Sequence, residues 1–437
     1  MADIDVSVHG KIPVTLPWGD ETLKFEVPDR IVFDGAMKYL PPVEDFEKRL
    51  LDNLRHPIGC EALGKMTAPG RKILILIEDN TRNTPLKRIL PILIDYLRGH
   101  GIDSQDIELL TAPGTHRVMT DAEIIHKVGE KIVSSIKISQ HDFRDTDSLV
   151  DLGTIEAGGN PIPIHVNKKA VAADFIIGLG NIIPHCDAGF SGGAKILQPG
   201  ICGYATTAAT HAAAALLDEI PLGSVENPCR LGMEKVARKV GLNFIVNTVM
   251  NHRNDILETV CGDFVAAHRK GAKISQKAFG VNIPEPADIV IASAYPCDMD
   301  YWQAEKGVIS AYFTVKKGGY IIFVSPCHEG LAHNHPRFRE WLRMSYSQAC
   351  ERIRGTSPED ESADLISADL AVCNARAREK AHILVVSRGL ADADCKILGY
   401  KPFRTVQDAL DFALREHPNG TIGILPRGGD CLPVLEG

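Results

Sequence analysis

From Gly178 to Gly200 the chain reads Gly-Leu-Gly-Asn-Ile-Ile-Pro-His-Cys-Asp-Ala-Gly-Phe-Ser-Gly-Gly-Ala-Lys-Ile-Leu-Gln-Pro-Gly, and His211 follows in an alanine-rich run. The apolar stretch 174–179 reads as a buried strand, so His185 emerges where a strand gives way to a loop, the usual place for chemistry in α/β enzymes. Gly189, Gly192 and Gly193 either let the backbone approach an anion and offer it N–H groups or serve only the geometry of tight turns. Lys195 at the edge of this loop can act as a charge or as an amine nucleophile. It is followed by isoleucine rather than Ser or Thr, and the glycine spacing is not that of a Walker A loop, which argues against ATP hydrolysis.

Two further groups follow predicted strands. Asp79, Thr81 and Arg82 come after the apolar run 72–78, and His116 comes after Leu109-Leu110 in Thr-Ala-Pro-Gly-Thr-His-Arg. The carboxyl ends of parallel strands share one edge of a sheet, so Asp79, Arg82, His116 and His185 are expected to converge despite their separation in sequence. Arg82 is either a bidentate clamp for a carboxylate or phosphate or a surface ion pair. Asp79 is either a helix N-cap or an acceptor for a ribose or a neighbouring cation. Two histidines on loops after strands fit acid–base work, because imidazole exchanges protons near neutrality. His211 on its helix is either a metal ligand or an ordinary helix histidine.

Later in the chain, Tyr301-Trp302-Gln303-Ala304-Glu305-Lys306 places Gln303 and Lys306 on one helical face, as a substrate-binding pair or as a solvated helix start. The segment containing His328, His333 and His335 offers metal-ligand residue types without a regular register.

These residues need a scaffold. At 437 residues the chain exceeds a single hydrophobic core, which predicts two domains. A net charge of −8 points away from nucleic acid and towards small-molecule partners. Eleven dispersed cysteines, none in a Cys-x-x-Cys pair, read as reduced thiols. The first residues show no signal-peptide pattern and no run is long enough for a membrane span, so the expected location is cytoplasmic, with no membrane partner.

Alternation around Pro17-Trp18-Gly19-Asp20 predicts an N-terminal hairpin. Strands at 72–78 and 107–110, a helix from Leu86 to Gly99 and a capping box at Thr120 predict doubly wound α/β architecture. The pattern resets near Pro284-Glu285-Pro286, with new strands at 288–292, 320–324, 383–386 and 422–425. Residues 355–368 read as a surface loop leading into a helix. The expected domains are 1–275 and 276–437, each with a mainly parallel sheet flanked by helices and with the active site in the cleft between them.

The sequence resembles the nickel-pincer lactate racemase family of 2-hydroxy-acid racemases and epimerases. The resemblance rests on Leu16-Pro-Trp-Gly19, Asp79-x-Thr81-Arg82, Pro113-Gly-Thr-His116-Arg-x-Met-Thr120, the 178–200 block, His211 and Tyr301-x-Gln303-x-x-Lys306-Gly307. It implies a nickel-pincer nucleotide (a pyridinium-3-thioamide-5-thiocarboxylate mononucleotide) tethered through Lys195, with His211 completing nickel coordination. Asp79, Thr81, Gly189, Ser191, Gly192 and Gly193 would lie against the cofactor. His116 and His185 would be the paired acid–base histidines, while Arg82, Tyr301, Trp302, Gln303 and Lys306 would bind substrate. Cofactor-biosynthesis proteins are the implied transient partners.

The implied chemistry suits these residue types. Plain removal of a Cα proton beside a carboxylate is difficult, whereas hydride transfer to an electrophilic cofactor, with a histidine taking the hydroxyl proton, gives a stable 2-oxo acid. Asn83, Cys186 and Trp302 depart from the commoner pattern and leave the choice of hydroxy acid open. A non-catalytic nickel or cofactor carrier would not need the two histidines, and a nicotinamide-dependent dehydrogenase would need a Gly-x-Gly-x-x-Gly turn that this chain lacks.

Overall fold

A computed structural model describes residues 10–332 and 335–436. It has α/β architecture and two compact units, each built around a six-stranded sheet. The first unit comprises residues 38–279 and 352–369; the second comprises the chain up to Met37, residues 280–351 and the chain from Leu370.

In the first unit the strand order is Ile256–Gly262, Leu242–Met250, Phe175–Asn181, Ile73–Ile77, Ile107–Thr111, Lys137–Gln140. Every pairing is parallel except that of the Ile256–Gly262 edge strand. All five residues of Ile73–Ile77 are buried, as expected for a central strand covered on both faces. Helix Leu86–Gly99 lays Leu86, Ile89, Leu90, Leu93, Ile94 and Leu97 into the same core, a 3.6-residue stripe. Helix Tyr204–Ala215 is buried along most of its circumference, and its alanines and threonines allow that closeness; His211 and Ala212 are its less buried positions.

The second unit's sheet runs Lys401–Phe403, His382–Val386, Val315–Val324, Ala287–Ser293, Ile422–Leu425, Ile31–Asp34, with all pairings parallel. The N-terminal hairpin Lys11–Trp18/Glu21–Pro28 forms in the expected place.

The division at 275/276 differs from the observed one in two respects. The hairpin buries Leu16, Trp18, Phe25 and Val27 in one cluster with Ile289, Ile322 and Leu384, so it belongs to the second unit. Residues 352–369 belong to the first unit: 355–362 form the expected surface loop, and the helix it leads into buries Leu365, Ile366 and Ala368 there. Alternation reveals that a hairpin has an apolar face but not which core receives it. The antiparallel hairpin Leu149–Ala157/Asn160–Asn167 was also not anticipated. Among the described residues no helix is long and apolar enough to cross a membrane.

Candidate active site

Strands Phe175–Asn181, Ile73–Ile77 and Ile107–Thr111 are neighbours, so the loops after them meet at one sheet edge. Asp79, Thr81, Arg82 and His116 meet there. His116 Nδ1 lies 2.8 Å from Asp79 Oδ2. Thr81 donates to Asp79 Oδ1 from both its backbone N–H (3.1 Å) and its hydroxyl (2.6 Å), so Asp79 organises its own loop instead of capping a helix. Arg82 Nη1 donates to the Thr81 hydroxyl at 2.9 Å. Burial pushes the Asp79 carboxyl up, but the hydrogen bond and charge of His116, with the Arg82 guanidinium, outweigh burial and hold it well below the usual carboxylate range.

The capping box is present, and it also couples the two loops. Glu123 accepts the Thr120 N–H at 2.8 Å, takes both Arg117 Nη atoms at 2.6 and 2.8 Å, and accepts from the Asn80 amide at 2.8 Å. One carboxylate therefore fixes the loop carrying Asp79 against the loop carrying His116.

His185 sits on a tight turn whose two sides, Pro184–His185 and Gly189–Phe190, pair antiparallel. Its Nδ1 is 3.6 Å from Asp187 Oδ2 and is approached by the Asp187 backbone N–H at 3.2 Å. Burial and the neighbouring Asp369 carboxylate push Asp187 up to about 6, against the pull of His211. His211 Nδ1 lies 2.9 Å from Asp369 Oδ2, and burial pushes this imidazole below its ordinary value. Lys195 feels burial together with the charges of Arg82 and Arg230, which push its amine down to about 8 in spite of Asp187. Ligand atoms of Asp187, His211 and Asp369 all fall within 4.8 Å of one another, as do those of His185, Cys186 and Asp187.

The glycine loop differs from an open anion cradle. A Cβ on Gly189 would come within 1.7 Å of the Ser224 carbonyl oxygen, and one on Gly193 within 2.9 Å of the His268 ring; both residues have positive φ. The glycines answer to the protein's own packing. Gly193 N–H already donates to Asn247 Oδ1 and Ser191 N–H to the Ile183 carbonyl, each at 2.8 Å, while the Ser191 hydroxyl donates to the Asn181 carbonyl at 2.6 Å. Arg230, fully buried, donates to the carbonyls of Ala188 and Gly192 at 3.1 Å and to that of Phe190, and His268 Nε2 meets the Ser191 carbonyl at 3.0 Å. Gly189, Ser191, Gly192 and Gly193 thus form a rigid frame that presents Lys195.

In the second unit Lys306 Nζ donates to Gln303 Oε1 at 2.6 Å, confirming that the two share a helix face; Asp300 N-caps that helix through the Gln303 N–H. Tyr301 differs from the expected substrate contact. Its ring is fully buried, and its hydroxyl shares hydrogen bonds with Tyr400 (2.7 Å) and Asn374 (2.8 Å). At the start of a helix, two residues before Gln303, it points into the core. Trp302 stacks on His335 with centroids 3.6 Å apart. His333 lies outside the described residues, and neither His328 nor His335 belongs to a metal-binding grouping among those described.

A two-unit α/β protein with carboxylate-backed histidines and a buried amine at one sheet edge has the layout of an acid–base enzyme. The lactate racemase N-terminal domain family matches residues 18–220 and the lactate racemase C-terminal domain family residues 283–431. The lactate racemase of Thermoanaerobacterium thermosaccharolyticum is 33% identical over 76% of this chain and 78% of its own length. That of Lactiplantibacillus plantarum is 34% identical over 73% of this chain and 76% of its own. The solved lactate racemase apoprotein from T. thermosaccharolyticum superposes with a TM-score of 0.86 at 29% identity, covering 97% of this chain and all of that one. The chain belongs to the lactate racemase family, and it is an isomerase.

Sequence reasoning missed Asp187, Asp369, Glu78 and Arg230. Asp187 stands two residues from His185 and could have been proposed as its partner. Glu78 ends the apolar run before Asp79; it is buried, takes the Thr84 hydroxyl proton donor, and is pushed up by burial. Nothing local signals Asp369 or Arg230.

Proposed function

We propose that this chain inverts the carbinol carbon of a 2-hydroxy acid, using a nickel-pincer nucleotide attached at Lys195 and coordinated by His211. The residues suit such a group. An amine at about 8 is partly unprotonated near neutrality, as covalent attachment requires. The His211 imidazole, kept neutral by burial, is a borderline donor suited to nickel. When bound, the group supplies the hydride acceptor and donor for Cα.

This chain's own residues handle the protons and the charge. His116 takes the hydroxyl proton of one enantiomer and returns it on reversal, and His185 does the same for the other. Arg82 binds the substrate carboxylate, and the Gln303–Lys306 pair contributes to its recognition. Proteins that assemble the nucleotide are the expected transient partners. The observation that carries the reading is the set of three histidines, each with Nδ1 turned to a carboxylate, grouped with an amine of depressed pKa.

The test is racemisation by nickel-loaded protein of a panel of chiral 2-hydroxy acids, beginning with lactate and extending to polyhydroxy, dicarboxylic and aryl acids, in deuterated water. Inversion with the original Cα hydrogen retained is expected. Deuterium entering Cα once per turnover would replace hydride transfer with proton abstraction. Intact mass should show an adduct on the parent that Lys195→Ala lacks.

A further inference from the structure

Asp369 lies far from every motif that carries chemistry in this sequence, yet it reaches His211. Residues 352–369 fold into the first unit, where the Leu365 N–H donates to the Tyr204 hydroxyl at 3.0 Å and His211 Nδ1 meets Asp369 Oδ2 at 2.9 Å. Tyr204 and His211 are seven residues apart on one helix, and Leu365 and Asp369 four apart on another, so each pair follows a single helix face. These two contacts tie the helices at the point where His211 projects. The Asp369 side chain is only 2% exposed.

We propose that Asp369 is a positioning residue for the metal: it holds the His211 ring with the proton on Nδ1 and Nε2 directed to nickel. A carboxylate can only accept, so its partner nitrogen must carry the proton and the other nitrogen keeps its lone pair. A metal-bound histidine commonly donates its second ring N–H to a carboxylate, which fixes the tautomer and raises the basicity of the ligand. Asp187, within 4.8 Å of both residues, adds negative charge on the same side, which suits a cation held there. The inference rests on the reading of His211 as the nickel ligand. It adds that this ligand is held in place by a segment far along the chain, outside the residues matched to the N-terminal family domain.

Two measurements test it. Nitrogen-15 NMR of histidine-labelled apoprotein reads the His211 tautomer directly, and nickel remaining after extended desalting of the holoprotein reads retention. The parent should show the Nδ1–H tautomer. Asp369→Ala should lose that preference and release nickel about 10- to 100-fold faster. Asp369→Asn, which keeps an acceptor but not the charge, should keep the tautomer and fall between.

Parental tautomer and nickel release within twofold in Asp369→Ala would overturn the proposal. So would an Nε2–H tautomer in the parent apoprotein, a result that stands even if Asp369→Ala fails to fold. Nickel fully retained by His211→Ala would instead overturn the ligand reading.

Discussion

His116 and His185 carry the same proposed duty in unequal settings. The Nδ1 of His116 faces a carboxylate at 2.8 Å that the surrounding charges keep ionised, and Glu123 braces the two loops involved. The Nδ1 of His185 is 3.6 Å from a carboxyl pushed up to about 6, and the Asp187 backbone N–H approaches it at 3.2 Å. One histidine has a permanent counter-charge and a fixed ring. The other depends on a group that its neighbours discourage from ionising. The two halves of an inversion that looks symmetric on paper are therefore expected to differ in their sensitivity to substitution and to pH.

The largest expected effect ignores that difference. His116→Ala and His185→Ala should each reduce racemisation severely in both directions, by about 10²–10⁴-fold, and the double variant should be little worse than either single one. Single-turnover formation of the 2-oxo acid should show opposite enantiomer preference in the two variants; near-parental racemisation by both would sink the paired-histidine mechanism.

The carboxylates come next and expose the inequality. Asp79→Asn removes an ionised, well-aligned partner and should cost kcat about 10²–10³-fold, whereas Asp187→Asn should cost about tenfold or less. Equal losses in steady-state assays would mean that the two histidines are supported alike. A smaller effect concerns Lys195, whose labelling by a small amine-directed reagent in the apoprotein should rise with pH around a midpoint of about 8. A midpoint near that of an ordinary lysine would show that the loop does not perturb the amine.

The subtlest prediction is thermodynamic. Asp187 binds its proton more tightly when folded, so the stability it contributes is complete below about pH 4 and is lost as pH rises through about 6. Asp79 has the opposite sign: its contribution is present above about pH 4 and lost as pH falls through its depressed folded value. Melting temperatures of apo Asp187→Asn relative to the parent should therefore rise between about pH 4 and 6, whereas those of Asp79→Asn should fall as pH rises towards about 4 and stay level above it. A flat difference for Asp187→Asn would remove the strain from its setting.

Much of this arrangement was legible in the residues. Ile73–Ile77 declared itself by five apolar positions in a row, helix Leu86–Gly99 by its stripe, and the helix after Thr120 by its capping box, because each signal is local. The meeting of Asp79, Arg82 and His116 followed from parallel-sheet geometry alone. What escaped was non-local or ambiguous. The glycine loop reads as a nest for an anion or as a tight turn, and the residues that pack it, Ser224, His268 and Arg230, come later in the chain. Tyr301, two residues before Gln303, gave no hint that one side chain turns inward and the other does not. Asp369 sits in a stretch of surface-like composition, and only the buried Leu365 and Ile366 beside it explain why it enters a core.

The strand Ile31–Asp34 carries a different consequence, one that concerns the order of synthesis. Among the described residues it pairs with Ile422–Leu425 alone, so it leaves the ribosome early and waits through translation of the whole other sheet before its partner exists. The amphipathic hairpin beside it waits as well, since the cluster that covers Leu16 and Phe25 is drawn from residues beyond Ile289. Apolar surface and an unpaired edge stay exposed during that interval, the condition under which chains are captured by chaperones or by one another. The stretch that holds both proposed acid–base histidines has all six strands of its sheet long before the second unit can close.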